Sequence, residues 1–394
     1  MLYRIIDKYF FEILNYINYI HAWGKIMEKR SPIFNLQKTL GARFTEFAGF
    51  EMPIQYSSIK EEHLAVRRSV GIFDVSHMSN VWITGPGAEK LISLTTLEDA
   101  SKIGNNKSQY TAILRKDGTV IDDTIFMHLD DKYMMIPNAG ADEVVTKWLN
   151  DKAKEHKIAA SAENVSNDYV ILAIQGPKSR DTLQKLTKTD IKTIGFFGCQ
   201  YANLAGVDCI ISHTGYTGEL GYELQITPPK KAEGVFKKIL EAGKDYGIKP
   251  IGLGARDTLR LEKGFILAGN EFKGGRTPLE AVMSYFINWD HEFIGKDKLL
   301  KQKEKGDYER LTSMICIDKG VPRQNCEIKK DGKKIGVVTS GTMSPCLNTG
   351  IAMGYVHPDY REKESIVEIM IRDKAVKAKV VRPPIVPKEW ANQN

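Results

Sequence analysis

Apolar and polar positions change period several times along the chain, and each change marks an element. Near the start Leu2, Ile5, Ile6, Tyr9, Phe10, Ile13, Leu14, Ile17 and Ile20 recur at helical spacing, with Arg4, Asp7, Lys8 and Glu12 opposite, which predicts an amphipathic helix. The charges break the apolar run, so it is no membrane span. Its acids and the lack of a small-residue cleavage site argue against a transit or signal peptide. A packing or partner helix, a weak membrane-surface anchor, and an upstream start codon whose counterpart is Met27 all fit. Further on, Ser58 and Glu61 form a capping-box pattern before a helix over Ile59 to Val70, with Gly71 as its stop.

The central pattern is written twice. Asn80-Val-Trp-Ile-Thr-Gly-Pro86 leads into a helix through Leu91, and Val170-Ile-Leu-Ala-Ile-Gln-Gly-Pro177 leads into another through Leu183 and Leu186. The offset that carries Gly85 onto Gly176 also carries Pro137 onto Pro228 and Val144, Trp148 and Leu149 onto Val235, Ile239 and Leu240. Two tandem copies of one unit follow, each reading strand, Gly-Pro turn, helix, antiparallel strands, helix. The second copy is longer between Gly206 and Pro228 than the first is between Gly118 and Pro137. The excess falls on His213-Thr-Gly-Tyr-Thr-Gly-Glu-Leu-Gly-Tyr-Glu223, and loops on a repeated scaffold commonly carry function. Beyond about Arg310 the pattern turns to short alternating strands with turns at Asp331-Gly332 and Thr342 to Asn348, a small β-barrel or sandwich. The predicted fold is therefore α+β: two ferredoxin-like-related units and a C-terminal β-barrel. The expected division is 1–30, an amphipathic extension; 31–155 and 156–285, the two units; and 286–394, a linker helix at Lys296 to Lys305 with the barrel.

Composition narrows the class without naming it. The net charge of +7 contains no long basic run, so nucleic acid is not indicated, while anionic small ligands and an acidic protein partner fit equally. Five cysteines, none in a C-x-x-C pair, point to free thiols in a reducing cytoplasm. His63, His77 and His213 show no metal-ligand spacing, so no metal is expected and core packing is the better reading of each.

Three positions carry candidate chemistry. Glu223 ends the glycine-spaced loop, where Gly215, Gly218 and Gly221 allow close backbone approach to a ligand. A carboxylate there can accept two parallel hydrogen bonds from an amidine-like edge such as a pterin or guanine, or can pair with Arg256. Arg256 can equally bind a ligand carboxylate, and Arg260 either pairs with Glu280 or stays solvated. Asp99 follows the helix of the first copy and can stabilise a cation. The same offset puts Asp190 at the matching point of the second copy, so a purely local turn role also fits.

Several segments in order resemble the glycine cleavage T-protein, or aminomethyltransferase, family. They are Phe47-Ala-Gly-Phe-Glu-Met-Pro53, Val70-Gly-Ile-Phe-Asp-Val-Ser-His-Met78, Ile174-Gln-Gly-Pro177, Gly215-Tyr-Thr-Gly-Glu219, Gly252-Leu-Gly-Ala-Arg-Asp-Thr-Leu-Arg-Leu-Glu262 and Val338-Thr-Ser-Gly-Thr-Met-Ser-Pro345. The resemblance runs from about Ile33 to Trp390. It implies a three-domain cloverleaf around a folate site. It also implies a reaction: N5 of tetrahydrofolate attacks the aminomethyl group on the lipoyl arm of the glycine cleavage H-protein, giving 5,10-methylenetetrahydrofolate, ammonia and the dihydrolipoyl carrier. By position, Asp99 is the catalytic carboxylate, Glu223 grips the pterin, Tyr216 lies against the folate and Arg256 binds it. Trp390 stands at a closing position, and Met52 and Asn138 line the pocket. The family usually has Asn where this chain has Glu98, and often Gly where it has Ser79. A folate-dependent demethylase is the competing enzyme class. A folate-binding assembly factor is disfavoured, because Lys249 leads into Pro250-Ile-Gly and not the Gly-Cys of those relatives. Neither nucleic-acid binding nor stable membrane insertion is expected.

Overall fold

The repeat announced by the two Gly-Pro pairs is present as two sheets of one strand order. The computed structural model describes residues 29–387; the expected N-terminal helix and Trp390 lie outside them. The described chain begins with β1 (Lys29–Arg30), α1 (Phe34–Thr39), β2 (Arg43–Phe47), β3 (Phe50–Gln55), α2 (Ile59–Arg68) and β4 (Gly71–Asp74). The Ser58 hydroxyl accepts from the Glu61 amide at 3.2 Å, as the capping pattern requires. The helix stops at Arg68, short of the expected Val70, and Gly71 opens β4 instead of serving as a cap. The reason is packing: a Cβ at Gly71 would lie 2.4 Å from Ile251 and 2.7 Å from Val66.

The first copy comprises β5 (Val81–Thr84), α3 (Ala88–Thr95), β6 (Lys107–Leu114), β7 (Val120–Leu129), β8 (Lys132–Ile136), α4 (Asp142–Glu155) and β9 (Ser161–Asn164). Its sheet order is β6-β7-β8-β5-β9. Helix positions Leu91, Ile92, Val145 and Leu149 bury against Val81, Ile83, Phe126 and Met135 of the sheet. The second copy comprises β10 (Val170–Gln175), α5 (Ser179–Gln184), β11 (Cys199–Leu204), β12 (Val207–Ser212), β13 (Gly221–Ile226), α6 (Ala232–Ala242) and β14 (Lys249–Ile251). Its order, β11-β12-β13-β10-β4-β14, is the same with β4 inserted. β4 runs antiparallel to β10 and parallel to β14, and all of its residues are buried. A strand from ahead of the first copy thus completes the second sheet and ties the units together.

After β14 come α7 (Leu253–Lys263), α8 (Ala268–Glu271) and α9 (Lys296–Lys305), the last at the expected linker position. Arg260 neither pairs with Glu280 nor is solvated. It is buried, donates to Asp257 at 2.8 Å and Glu271 at 3.2 Å, and reaches Ser340 at 2.9 Å, while Glu280 holds Arg276. Packing α7 beneath the C-terminal strands takes the guanidinium out of water, so it needs a buried carboxylate. Two residues on, Glu262 accepts from Arg67 at 2.9 Å and from Ser344 at 2.6 Å and lies 2.9 Å from His63 Nε2. His63, Glu262 and Cys346 converge closely enough to ligate a cation, but the Arg67 guanidinium already occupies the carboxylate.

The remaining strands, β15 (Arg310–Cys316), β16 (Glu327–Lys330), β17 (Lys333–Ser344), β18 (Thr349–Val356), β19 (Ile366–Ile371) and β20 (Lys374–Val381), close into a barrel in the order β15-β18-β17-β16-β19-β20. Closure leaves no free sheet edge. Asp331-Gly332 makes the expected turn, both at positive φ. β17 continues through Ser344, so the second expected turn is confined to 345–348. Among the described residues no helix is long and apolar enough to cross a membrane.

Candidate active site

Both repeats and the barrel contribute walls to one cavity of about 2780 Å³. Drug-sized ligands need roughly 300–1,000 Å³, so this volume suits two reactants together.

Strand alternation decides what β13 offers that cavity. Tyr222 and Leu224 bury in the core, which turns Glu223 to the other face. Its Oε2 accepts from Thr214 Oγ1 at 2.6 Å, and Ser212 stands 2.7 Å behind Thr214. That hydroxyl pair orients the carboxylate, whose Oε1 has no partner among the described residues. The loop glycines let the backbone pack against neighbouring side chains. A Cβ at Gly215 or Gly221 would lie 2.1 or 2.3 Å from the Gln175 side chain, and one at Gly218 would lie 2.4 Å from Lys263. The backbone packs closely on protein at these points, and the same three glycines also line the cavity. Gln175 fixes the loop by donating to Thr214 O at 3.1 Å and accepting from Thr217 at 2.8 Å.

The ion pair that Glu223 and Arg256 could have formed is not made. Arg256 Cζ lies 4.6 Å from the centre of the Tyr216 ring, and the guanidinium has no hydrogen-bond partner among the described residues. Tyr216 is anchored by its hydroxyl, which donates to Ile266 O, and its ring stacks on Phe265. Glu223, Arg256 and Tyr216 line the cavity together. His77, also in the wall, sits edge-on to Phe47 and is held neutral, its pKa pushed down to about 3 by burial and by Arg256.

The first copy supplies a feature that sequence reasoning missed. Asn138 donates to Asp122 Oδ1 at 2.9 Å and to Asp123 Oδ1 at 3.1 Å, and Tyr110 donates to Asp123 Oδ2 at 2.7 Å. Burial raises both acids, and the neighbouring Asp123 charge raises Asp122 further. The available signal was a pair of carboxylates inside the otherwise apolar run Val120-Ile-Asp-Asp-Thr-Ile-Phe126. Met52, expected in the lining, is fully buried in β3 and does not reach the cavity.

Asp99 occupies the local role that the repeat allowed. Its Oδ1 accepts from the Ser101 amide at 3.1 Å and hydroxyl at 2.6 Å, capping a 3₁₀ turn, just as Asp190 caps its turn through Lys192. The Ser101 hydroxyl holds its pKa below the usual carboxylate range. The adjacent Glu98, not Asp99, forms part of the cavity wall.

Comparison with known proteins agrees with this architecture along its length. Residues 33–291 match the GCVT N-terminal domain and residues 310–387 the glycine cleavage T-protein C-terminal barrel domain. The chain is 42% identical to an aminomethyltransferase of Halothermothrix orenii, over 91% of this chain and 100% of that protein. It is 43% identical to a probable aminomethyltransferase of Thermococcus kodakarensis, over 92% and 98%. The crystal structure of glycine cleavage system aminomethyltransferase T from Bartonella henselae superposes with a TM-score of 0.85 at 29% identity, covering 91% of this chain and 98% of that one. A barrel closing on a strand-swapped pair of α+β repeats, with matches that span both parts, places this chain in the glycine cleavage T-protein (aminomethyltransferase) family.

Proposed function

We propose that this chain is the aminomethyltransferase of a glycine cleavage system, with tetrahydrofolate and the aminomethyl-lipoyl arm of the carrier H-protein meeting in the central cavity. The observation that carries the reading is a pair of unsatisfied charged groups in one cavity. Glu223 has a free oxygen on an oriented carboxylate, and Arg256 has no hydrogen-bond partner among the described residues. A carboxylate with a free oxygen accepts the N–H edge of a pterin, and the Tyr216–Arg256 stack offers a flat face and a cation beside it. Asn138 lines the same cavity and orients Asp122 and Asp123 there.

In the reaction N5 and then N10 of tetrahydrofolate bond to the transferred methylene, and the two protons those nitrogens give up go to the departing sulfur and nitrogen. The carrier sulfur leaves and ends as a thiol, and nitrogen leaves as ammonia. Positive charge develops on the carbon between these steps, and a fixed anion beside it lowers the barrier. Asp99, its pKa depressed by Ser101, follows Glu98 of the cavity wall without itself forming part of the lining, and it is the group proposed for that role. Holding both reactants in one enclosure supplies proximity. A reducing cytoplasm suits the free cysteines of the described chain. Asp99→Asn is expected to cut turnover at least tenfold (about 1.4 kcal/mol) while leaving folate affinity in place. Unchanged turnover removes Asp99 from the mechanism.

A further inference from the structure

Glu98 is held in the cavity wall with one oxygen committed and one free. After α3 the chain is pinned by Leu97 N, which donates to Ala112 O at 3.2 Å and Thr111 Oγ1 at 3.1 Å. Glu98 Oε1 then accepts from the Asp99 amide at 3.0 Å and from Asn288 Nδ2 at 3.1 Å. Asn288 cannot turn its amide over, because its Oδ1 already accepts from the Asp290 amide at 3.1 Å and from Lys102 Nζ at 3.5 Å, and its own backbone N–H is tied to Leu97 O. The carboxylate is therefore fixed by three chain segments. Its Oε2 has no partner among the described residues, and the side chain lines the cavity.

From this geometry, and resting on the function proposed above, we infer that Glu98 recognises the amine of the aminomethylated carrier arm. A carboxylate only accepts hydrogen bonds, so its ligand must bring N–H or O–H donors. Of the two reactants, the folate offers its donor-rich pterin edge, for which Glu223 in the other repeat is the oriented acceptor. At its reacting end the carrier arm offers an amine and a thiol, of which the amine is much the stronger donor, its amide N–H lying well back along the arm. Once the amine has left, the arm ends in a thiol that a fixed carboxylate holds poorly, so the same residue favours release of the product arm. Glu98 acts as a specificity residue, with Asn288 as its positioning partner.

The test compares carrier loaded with the aminomethyl group against unloaded dihydrolipoyl carrier, measuring dissociation constants and steady-state rates on the full chain. Wild type is expected to prefer the loaded arm, with a preference that shrinks as salt rises. Glu98→Gln is expected to lose about three- to tenfold of that preference and its salt dependence, through a higher KM and with tetrahydrofolate affinity unchanged. Asn288→Ala, which frees the carboxylate without removing it, should give a smaller loss in the same direction. An unaltered preference in Glu98→Gln, in an enzyme whose wild type makes ammonia and methylenetetrahydrofolate, overturns this assignment alone. A wild type that makes neither product overturns the functional reading and this inference with it.

Discussion

Residue by residue, the cavity is set by where charge is satisfied and where it is not. Glu223 uses one oxygen on Thr214 and leaves the other open, so on the proposed function Glu223→Ala removes a folate acceptor without unfolding a network. Folate binding is expected to weaken by about 1–3 kcal/mol in calorimetry, roughly five- to 150-fold in Kd. Equal affinity in the two proteins would leave Glu223 with no role beyond its contact with Thr214. Asp122 makes a prediction of opposite character. Burial and Asp123 raise its pKa to about 8, so above the ordinary carboxylate range the folded protein keeps a proton that the unfolded chain gives up. Stability therefore falls as pH rises toward 8. Between pH 7 and 8, where His77 is neutral in the fold and the unfolded chain's histidine has given up most of its proton, the loss reaches up to about 1.4 kcal/mol per unit, and Asp122→Asn should lack it. Denaturant midpoints over that interval check this, and identical slopes in the two proteins would show that Asp122 is ionised in the fold.

Among elements, the His213–Gly221 connection shows what a sequence pattern does and does not disclose. Its elaboration over the first copy was legible from the repeat, and so was the outward direction of Glu223 between two apolar neighbours. The partners of its glycines were not, because Gln175 and Lys263 are distant in sequence and meet the loop only when β10, β13 and α7 pack. Gly218 has φ +71 as well as a near contact with Lys263. Gly218→Ala is accordingly expected to cost about 1–3 kcal/mol in thermal unfolding. A melting temperature equal to wild type would mean that the loop relaxes freely around an added Cβ. The same limit hid β4. The run Gly71-Ile-Phe-Asp74 follows a helix and precedes a repeat, and nothing local says that it inserts between β10 and β14. Asp99 shows the converse: the match with Asp190 disclosed a capping role that both copies adopt.

For the whole molecule, duplication builds two similar sheets, and divergence gives their facing surfaces different chemistry. The second repeat presents Glu223 and Tyr216, and the first presents Asp122, Asp123 and Glu98. Helix α7 joins them to the barrel through buried Arg260 and Glu262, so the cavity walls are held by charge networks as well as by apolar packing. This arrangement has room for two reactants and holds two carboxylates, Glu223 and Glu98, each fixed through one oxygen. The most direct test mixes the purified chain with tetrahydrofolate and carrier bearing the aminomethyl-lipoyl arm, and measures ammonia and 5,10-methylenetetrahydrofolate together. Equal amounts of the two products are expected, with neither formed when either reactant is left out; ammonia release that proceeds at the full rate without tetrahydrofolate, or no methylenetetrahydrofolate at all, would show that the methylene is not transferred to folate here.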